Sequence, residues 1–203
     1  MNNTYFITGI GTGIGKTIVS AIITEKLQAD YWKPIQSGDL DQSDSLKIES
    51  LISNNKTIIH KEAFRLTQPL SPHLSAKLDQ VELNIDKLQT PVTTNNLIIE
   101  GAGGLMVPLN DQELMIDYIK FLNVAVILVS QNYLGSINHT LLSIEALMTR
   151  NITVKGLVFN GPSNNETEQY IQQYSKLPVL GFIPELHTVS KESISEAGRY
   201  LEL

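Results

Sequence analysis

Runs of apolar and β-branched residues recur over residues 5–9, 31–35, 96–100, 124–130, 153–160 and 179–184, and segments of helical length separate them. Several of these runs are apolar at consecutive positions, as expected of strands covered on both faces, where in/out alternation is lost. Helices are predicted over residues 16–28, 43–53, 84–89, 114–123, 137–149, 166–174 and 189–200. Strands alternating with helices predict an α/β fold whose mostly parallel sheet has helices on both faces. Residues 54–83 are the least regular. The stretch from Thr67 to His73 holds Pro69 and Pro72, which exclude a helix there, and is expected to be an ordered loop over a site.

The 203 residues suit one domain spanning the whole chain, since no repeat or linker-like segment divides it. With 15 Lys and Arg against 21 Asp and Glu, the net charge is −6, so no basic surface is expected to track nucleic acid or an anionic membrane. The absence of cysteine excludes disulfides, thiolate metal sites and thiol nucleophiles. The four histidines lie too far apart for a local zinc motif. The longest apolar run, residues 124–129, falls far short of the ~20 residues that cross a bilayer. Residues 1–15 carry no Lys or Arg to begin a secretion signal, so a cytoplasmic location is expected.

Chemistry enters directly after the first strand, at Gly9-Ile10-Gly11-Thr12-Gly13-Ile14-Gly15-Lys16-Thr17. Strand, glycine-rich turn, Gly-Lys-Thr and helix together predict a phosphate-binding loop, hence a P-loop type of fold. Glycines let successive backbone N–H groups face one anion, Lys16 reaches the β- and γ-phosphates, and the Thr17 hydroxyl suits magnesium. Five residues rather than four separate Gly9 from Gly-Lys-Thr. A second acidic element is expected at the end of a buried strand. Glu100 fits, and it leads into Gly101-Ala102-Gly103-Gly104, where backbone can approach a ligand closely. A third element, Lys33-Pro34-Ile35-Gln36-Ser37-Gly38, ends the second strand at the edge facing the ligand crevice. A second lysine there would stabilise charge on a transferring phosphoryl group. Asp44, by itself, reads as a helix-start carboxylate.

The five-spaced phosphate loop, Lys33 to Gly38, Ser71-Pro72-His73 and Glu100 to Gly104 together resemble the dethiobiotin synthetase family, in the family's order and over the chain to about Glu185. Aspartate usually stands in that family where this chain has Gly11. The resemblance implies ATP- and magnesium-dependent ring closure of 7,8-diaminononanoate with carbon dioxide, through a phosphorylated carbamate. It implies that Lys16 and Lys33 hold the γ-phosphoryl and carbamate charge, and that Thr17, Asp44 and Glu100 ligate magnesium. Thr12 and Ser37 would contact the diamine or its carbamate. The nucleotide would meet Gly13, Ile14, Gly15, Lys16, Thr17, Ile18, Asp44, Glu100, Gly101, Ala102 and Gly103. Asn160 would read the adenine, with Gly161, Pro184 and Glu185 nearby. Gly135, Ser136, Ile137 and Asn138 would receive the substrate carboxylate across a homodimer interface. His73 and His139 read as packed or loop histidines rather than catalytic bases.

Two other classes share parts of this pattern. Nucleotide-switch ATPases of the partitioning and cell-division type resemble Lys-Gly-Gly-x-Gly-Lys-Thr, whose first lysine would fall at Gly11. Corrinoid-type amide synthetases normally carry a glutaminase domain with a cysteine, which this chain lacks.

Overall fold

A computed structural model of the protein describes residues 3–203. Seven strands form the main sheet: β1 (Thr4–Gly9), β2 (Asp30–Trp32), β4 (Ile59–His60), β6 (Leu97–Gly104), β7 (Ala125–Ser130), β8 (Val154–Asn160) and β9 (Val179–Ile183). Their order is β4-β2-β6-β1-β7-β8-β9, and every pairing between them is parallel. The strand β1 therefore lies centrally between β6 and β7, and the chain reverses its direction of travel across the sheet beside it. Ligands of open α/β sheets bind outside the carboxyl ends of the strands at such a point.

Helices cover both faces, as a parallel sheet requires. They are α1 (Lys16–Leu27), α2 (Asp44–Leu51), α3 (Pro72–Leu78), α4 (Met115–Leu122), α5 (Ser136–Thr149), α6 (Asn165–Ser175) and α7 (Lys191–Ala197). On one face Ile22 and Ile23 of α1 pack with Ile7, Tyr31, Ile98 and Ile127. On the other, Phe6, Trp32, Ile99 and Val126 pack with Ile116 and Ile119 of α4. Neighbouring residues of one strand thus enter opposite cores, which accounts for runs that are apolar without alternation. No described helix is long and apolar enough to cross a membrane.

Several expected elements change. The strand over 31–35 divides at Lys33-Pro34. Pro34 offers no N–H to a ladder, so β2 stays in the main sheet while β3 (Ile35–Ser37) pairs with β5 (Phe64–Leu66) in a separate two-stranded sheet. The prolines do not exclude a helix from the whole stretch over residues 67–73. Pro72 is the first residue of α3, where its fixed φ suits the turn and its missing N–H would have had no partner. Residues 84–89 form only a 3₁₀ turn at Ile85–Lys87. The last helix spans Lys191–Ala197 and passes into a 3₁₀ turn, Gly198–Tyr200. The strand expected to stop at Glu100 runs on to Gly104.

Candidate active site

The phosphate loop joins β1 to α1 at the centre of the sheet. Gly15 precedes the helix at φ 87°, a left-handed conformation that favours glycine, and no side chain caps the helix start. A Cβ on Gly15 would also lie 2.1 Å from Asn160 Nδ2. Gly11 is different, because a side chain there would meet open space. Packing therefore does not demand glycine where the resembled family has aspartate.

Lys33 and Glu100 meet through strand register. Asp30, Tyr31 and Trp32 of β2 pair with Leu97, Ile98 and Ile99 of β6, so the next step sets Lys33 beside Glu100. Tyr31 and Lys33, two positions apart, share the α1 face with Ile98 and Glu100. Lys33 Nζ lies 3.1 Å from Glu100 Oε1 and 2.7 Å from Asp44 Oδ2, and it donates to the Gly101 carbonyl at 3.1 Å. Thr17 Oγ1 lies 2.9 Å from both Asp44 Oδ1 and Glu100 Oε1. Tyr31 donates its hydroxyl to Glu100 Oε2 at 3.0 Å. Lys16 Nζ donates to the Gly11 carbonyl at 2.8 Å. Four chain segments distant in sequence thus supply one buried cluster of two ammonium groups, two carboxylates and two hydroxyls.

The charges are tuned by this company. Burial would pull the Lys33 ammonium down, but the Glu100 and Asp44 carboxylates beside it outweigh burial and hold it above the ordinary lysine value. Burial would raise the Asp44 carboxyl, yet Lys33 and the Thr17 hydroxyl hold it below the usual carboxylate range. Lys16 has no carboxylate within hydrogen-bonding contact. Burial lowers it to about 8, and the Lys33 charge acts in the same direction against a partial opposition from Glu100 and Asp44. Burial and the adjacent Glu100 push Tyr31 well above its normal value, so its hydroxyl remains a donor.

The cluster opens into a cavity of about 450 Å³ that includes Thr12, Ser37, Lys47, Ala102 and Gly103 in its walls. Ser37 Oγ is buried and lacks a hydrogen-bond partner among the described residues. Gly38, at φ 70°, lies against Pro69, where a Cβ would come within 2.5 Å of backbone. Pro69, Leu70, Ser71 and Pro72 line this cavity, so the proline-containing stretch lies at the site, although its last part is the start of α3 rather than loop. Ile18 follows Thr17 into α1 and is half-buried.

Other expected residues lie elsewhere. Asn160 spends one amide proton on the Ile14 carbonyl at 3.1 Å, and Gly161 follows it at φ 96°. Pro184 and Glu185 directly follow β9, the strand beside β8. Gly135, Ser136, Ile137 and Asn138 line a different cavity, of about 760 Å³, between the β7–α5 and β8–α6 connections. Within one chain they are not part of the Lys33 cavity. His139 bonds Tyr133 through Nδ1 at 2.8 Å, and His73 bonds Ser71 at 3.0 Å. Neither histidine lines the Lys33 cavity.

Three residues at the site have no role predicted from the sequence: Tyr31, Gln36, which is known there only as part of the Lys33 to Gly38 element, and Lys47. Tyr31 was legible only through strand parity with Lys33. Gln36 accepts from the Asp44 backbone N–H at 3.1 Å and donates to the Gly38 carbonyl at 3.0 Å, so it ties β3 to the start of α2. Lys47 lies one helical turn beyond Asp44 and could have been found from that spacing.

The donor set is all oxygen. No described cluster of three or more His, Cys, Asp or Glu exists, and the convergence is of two carboxylates and a hydroxyl. This suits a hard cation that fills its shell with phosphate oxygens and water.

A central phosphate loop, an all-parallel main sheet and a carboxylate from the neighbouring strand β6 facing Thr17 define a nucleotide-binding protein of the P-loop class. A family model described as an AAA domain matches residues 3–193. An ATP-dependent dethiobiotin synthetase of Christiangramia forsetii is 53% identical over 91% of this chain and 89% of its own length. Its counterpart in Cytophaga hutchinsonii is 50% identical over 94% and 93%. The chain belongs to the dethiobiotin synthetase family. A ParA family ATPase from Chlorobium tepidum superposes with a TM-score of 0.60 over 99% of this chain and all of its own, at 11% identity. That likeness shows the shared fold alone.

Proposed function

We propose that this chain is a ligase of biotin biosynthesis, which closes the ureido ring of dethiobiotin from 7,8-diaminononanoate, carbon dioxide and ATP. The observation that carries the reading is Lys33, held between Asp44 and Glu100 at the mouth of the phosphate loop in a chain about half identical to dethiobiotin synthetases. One substrate amine adds to carbon dioxide and loses a proton, giving a carbamate. A carbamate oxygen attacks the γ-phosphorus of ATP and ADP leaves. The neighbouring amine then attacks the carbon of the phosphorylated carbamate and gives up a proton, the C–O bond to phosphate breaks, phosphate leaves and the ring is closed.

Residues of this chain have a task at each step. Lys16 and the backbone of Gly13, Ile14 and Gly15 hold the phosphates. Lys33 neutralises negative charge that grows on the transferring group, where a fixed cation in a closed site is worth most. Ser37 Oγ, buried without a partner among the described residues, and Thr12 bind the carbamate or the diamine. Asn160 retains an amide proton and its carbonyl oxygen for the base. Thr17, Asp44 and Glu100 would hold magnesium, which would neutralise the β- and γ-phosphates.

The active unit is proposed to be a homodimer, with Gly135, Ser136, Ile137 and Asn138 of one copy receiving the carboxylate of the diamine bound to the other. Support comes from their separation from the Lys33 cavity and from the half-exposed apolar Met106 and Leu142, which border a cavity of about 770 Å³ reaching Thr12. A cytoplasmic location fits substrates made and used within the cell, and no nucleic acid or membrane partner is proposed.

The test is phosphate release from ATP with both the diamine and bicarbonate, compared with each omitted. Release is expected only with both. Release indifferent to the diamine would overturn the proposal.

A further inference from the structure

The Glu100 carboxylate has two oxygens with different company. Oε1 faces Thr17 and Lys33, the groups nearest the phosphate loop, whereas Oε2 receives the Tyr31 hydroxyl at 3.0 Å. The terminal torsion of a glutamate is broad and roughly two-fold, so its own rotamer preference does not choose which way the carboxylate plane turns. An external bond must choose it. Lys33 cannot serve as a permanent anchor, because its ammonium also bonds Asp44 and the Gly101 carbonyl and is needed by the reacting groups. Thr17 shares its single hydroxyl between Asp44 and Glu100.

Tyr31 is free of such competition. It is fully buried in the core under α1, among Ile7, Ile23 and Ile98, and its ring is held by strand packing. Its hydroxyl is outside the cavity wall and has Glu100 as its hydrogen-bond partner. Loss of a partner that orients a ligating side chain typically costs about 10–100-fold in metal affinity.

We infer that Tyr31 is a positioning residue for the metal-binding carboxylate, its hydroxyl locking Oε2 of Glu100 so that Oε1 stays turned toward Thr17. The inference rests on the proposed magnesium site. It concerns a residue that touches neither nucleotide nor substrate and acts only through Glu100.

The experiment measures the Mg²⁺ concentration needed for half-maximal ADP binding by calorimetry, with Mn²⁺ binding to the ADP complex followed by electron paramagnetic resonance. Tyr31→Phe keeps the ring and removes the bond. It is expected to raise the metal requirement roughly tenfold, the usual order for loss of an orienting partner. Tyr118→Phe is the control. That tyrosine is also buried, and its hydroxyl donates to the Leu88 carbonyl away from the site, so it should alter thermal stability without changing the metal requirement.

Glu100→Gln and the double variant with Tyr31→Phe complete a cycle and also cover the case in which Tyr31→Phe alone folds poorly, since the buried charge is then removed. Glu100→Gln should weaken metal binding, and adding Tyr31→Phe should weaken it no further. If Glu100→Gln shifts the requirement while Tyr31→Phe leaves it unchanged, or if the two effects simply add, the role of Tyr31 is overturned and the metal site stands. If Glu100→Gln itself has no effect, the metal site fails and the Tyr31 inference fails with it.

Discussion

Lys33 follows β2 by one residue and Glu100 lies within β6, and the parallel register of the two strands brings the ammonium to 3.1 Å from the carboxylate although 67 positions separate them. The same ammonium reaches Asp44, at the start of α2. A cation so placed is bound before any phosphate arrives, and its position does not depend on the nucleotide.

Lys33→Ala should therefore lower kcat by about 10²–10³-fold, the scale of removing one preorganised group from a charge-developing site. The Kd for ADP measured by calorimetry with magnesium should change far less. Lys33→Arg should fail to restore turnover, because a planar guanidinium does not fit where a compact ammonium touches three oxygens. A parallel loss of nucleotide affinity and kcat would assign Lys33 to binding instead.

Lys16 leads to a pH dependence. Its ammonium is held at about 8 in the free protein, against 10.5 for an ordinary lysine. Bound phosphates would favour the charged form, so nucleotide binding above about pH 8 must take up a proton. ADP affinity should fall as pH rises through that value and remain level below it. Calorimetry in buffers of different ionisation enthalpy should reveal proton uptake near pH 9 and almost none at pH 6.5. Lys16→Met should abolish that uptake.

The proposed homodimer predicts complementation between two inactive variants. Lys33→Ala disables the site on its own chain, whereas Asn138→Ala disables the site on the partner. Co-expressed and purified together, the two should recover activity in roughly a quarter of the sites, since random pairing makes half the dimers mixed and gives each mixed dimer one intact site. Each variant alone should stay near background. Recovery absent from a verified mixed dimer would place both functions in one chain.

Asp30 bears on stability away from the chemistry. It begins β2 at the opposite end of the strand from Lys33, accepts from the Ile58 backbone N–H at 3.0 Å and from Thr93 Oγ1 at 2.6 Å, and meets Asn95 and His60. Asp30→Ala would leave buried donors unpaired at the junction of β2, β4 and the approach to β6, costing about 2–3 kcal/mol. Chemical denaturation should record that loss while ADP affinity stays within twofold of the starting protein, an order set by the separation of the two sites.

Much was legible in the chain because some signals are local. The apolar runs and intervening helical segments implied the parallel α/β sheet, and strand, glycine turn, Gly-Lys-Thr and helix lie within a single stretch whose chemistry depends on neighbours in sequence. Lys33 and Glu100 were also visible, as charged residues closing apolar runs toward the edge where ligands bind, although β6 continues beyond Glu100 to Gly104. Asp44 was recognisable only by resemblance, because a carboxylate at a helix start is common for reasons unrelated to metals.

Tertiary structure decided what depends on register and on breaks between elements. The second strand was expected to continue through Pro34, but the missing N–H sends β3 to a separate sheet. Pro72 was expected to oppose a helix and instead begins one, since its effect depends on whether it stands at the first turn or inside it. The pairing of β2 with β6 put Tyr31, Lys33 and Glu100 on one face, where a shift of one residue would have sent both Tyr31 and Lys33 to the other. Composition and periodicity determine which segments become strands and helices. Which side chains meet is a property of how those segments align in space, and no local pattern carries that information.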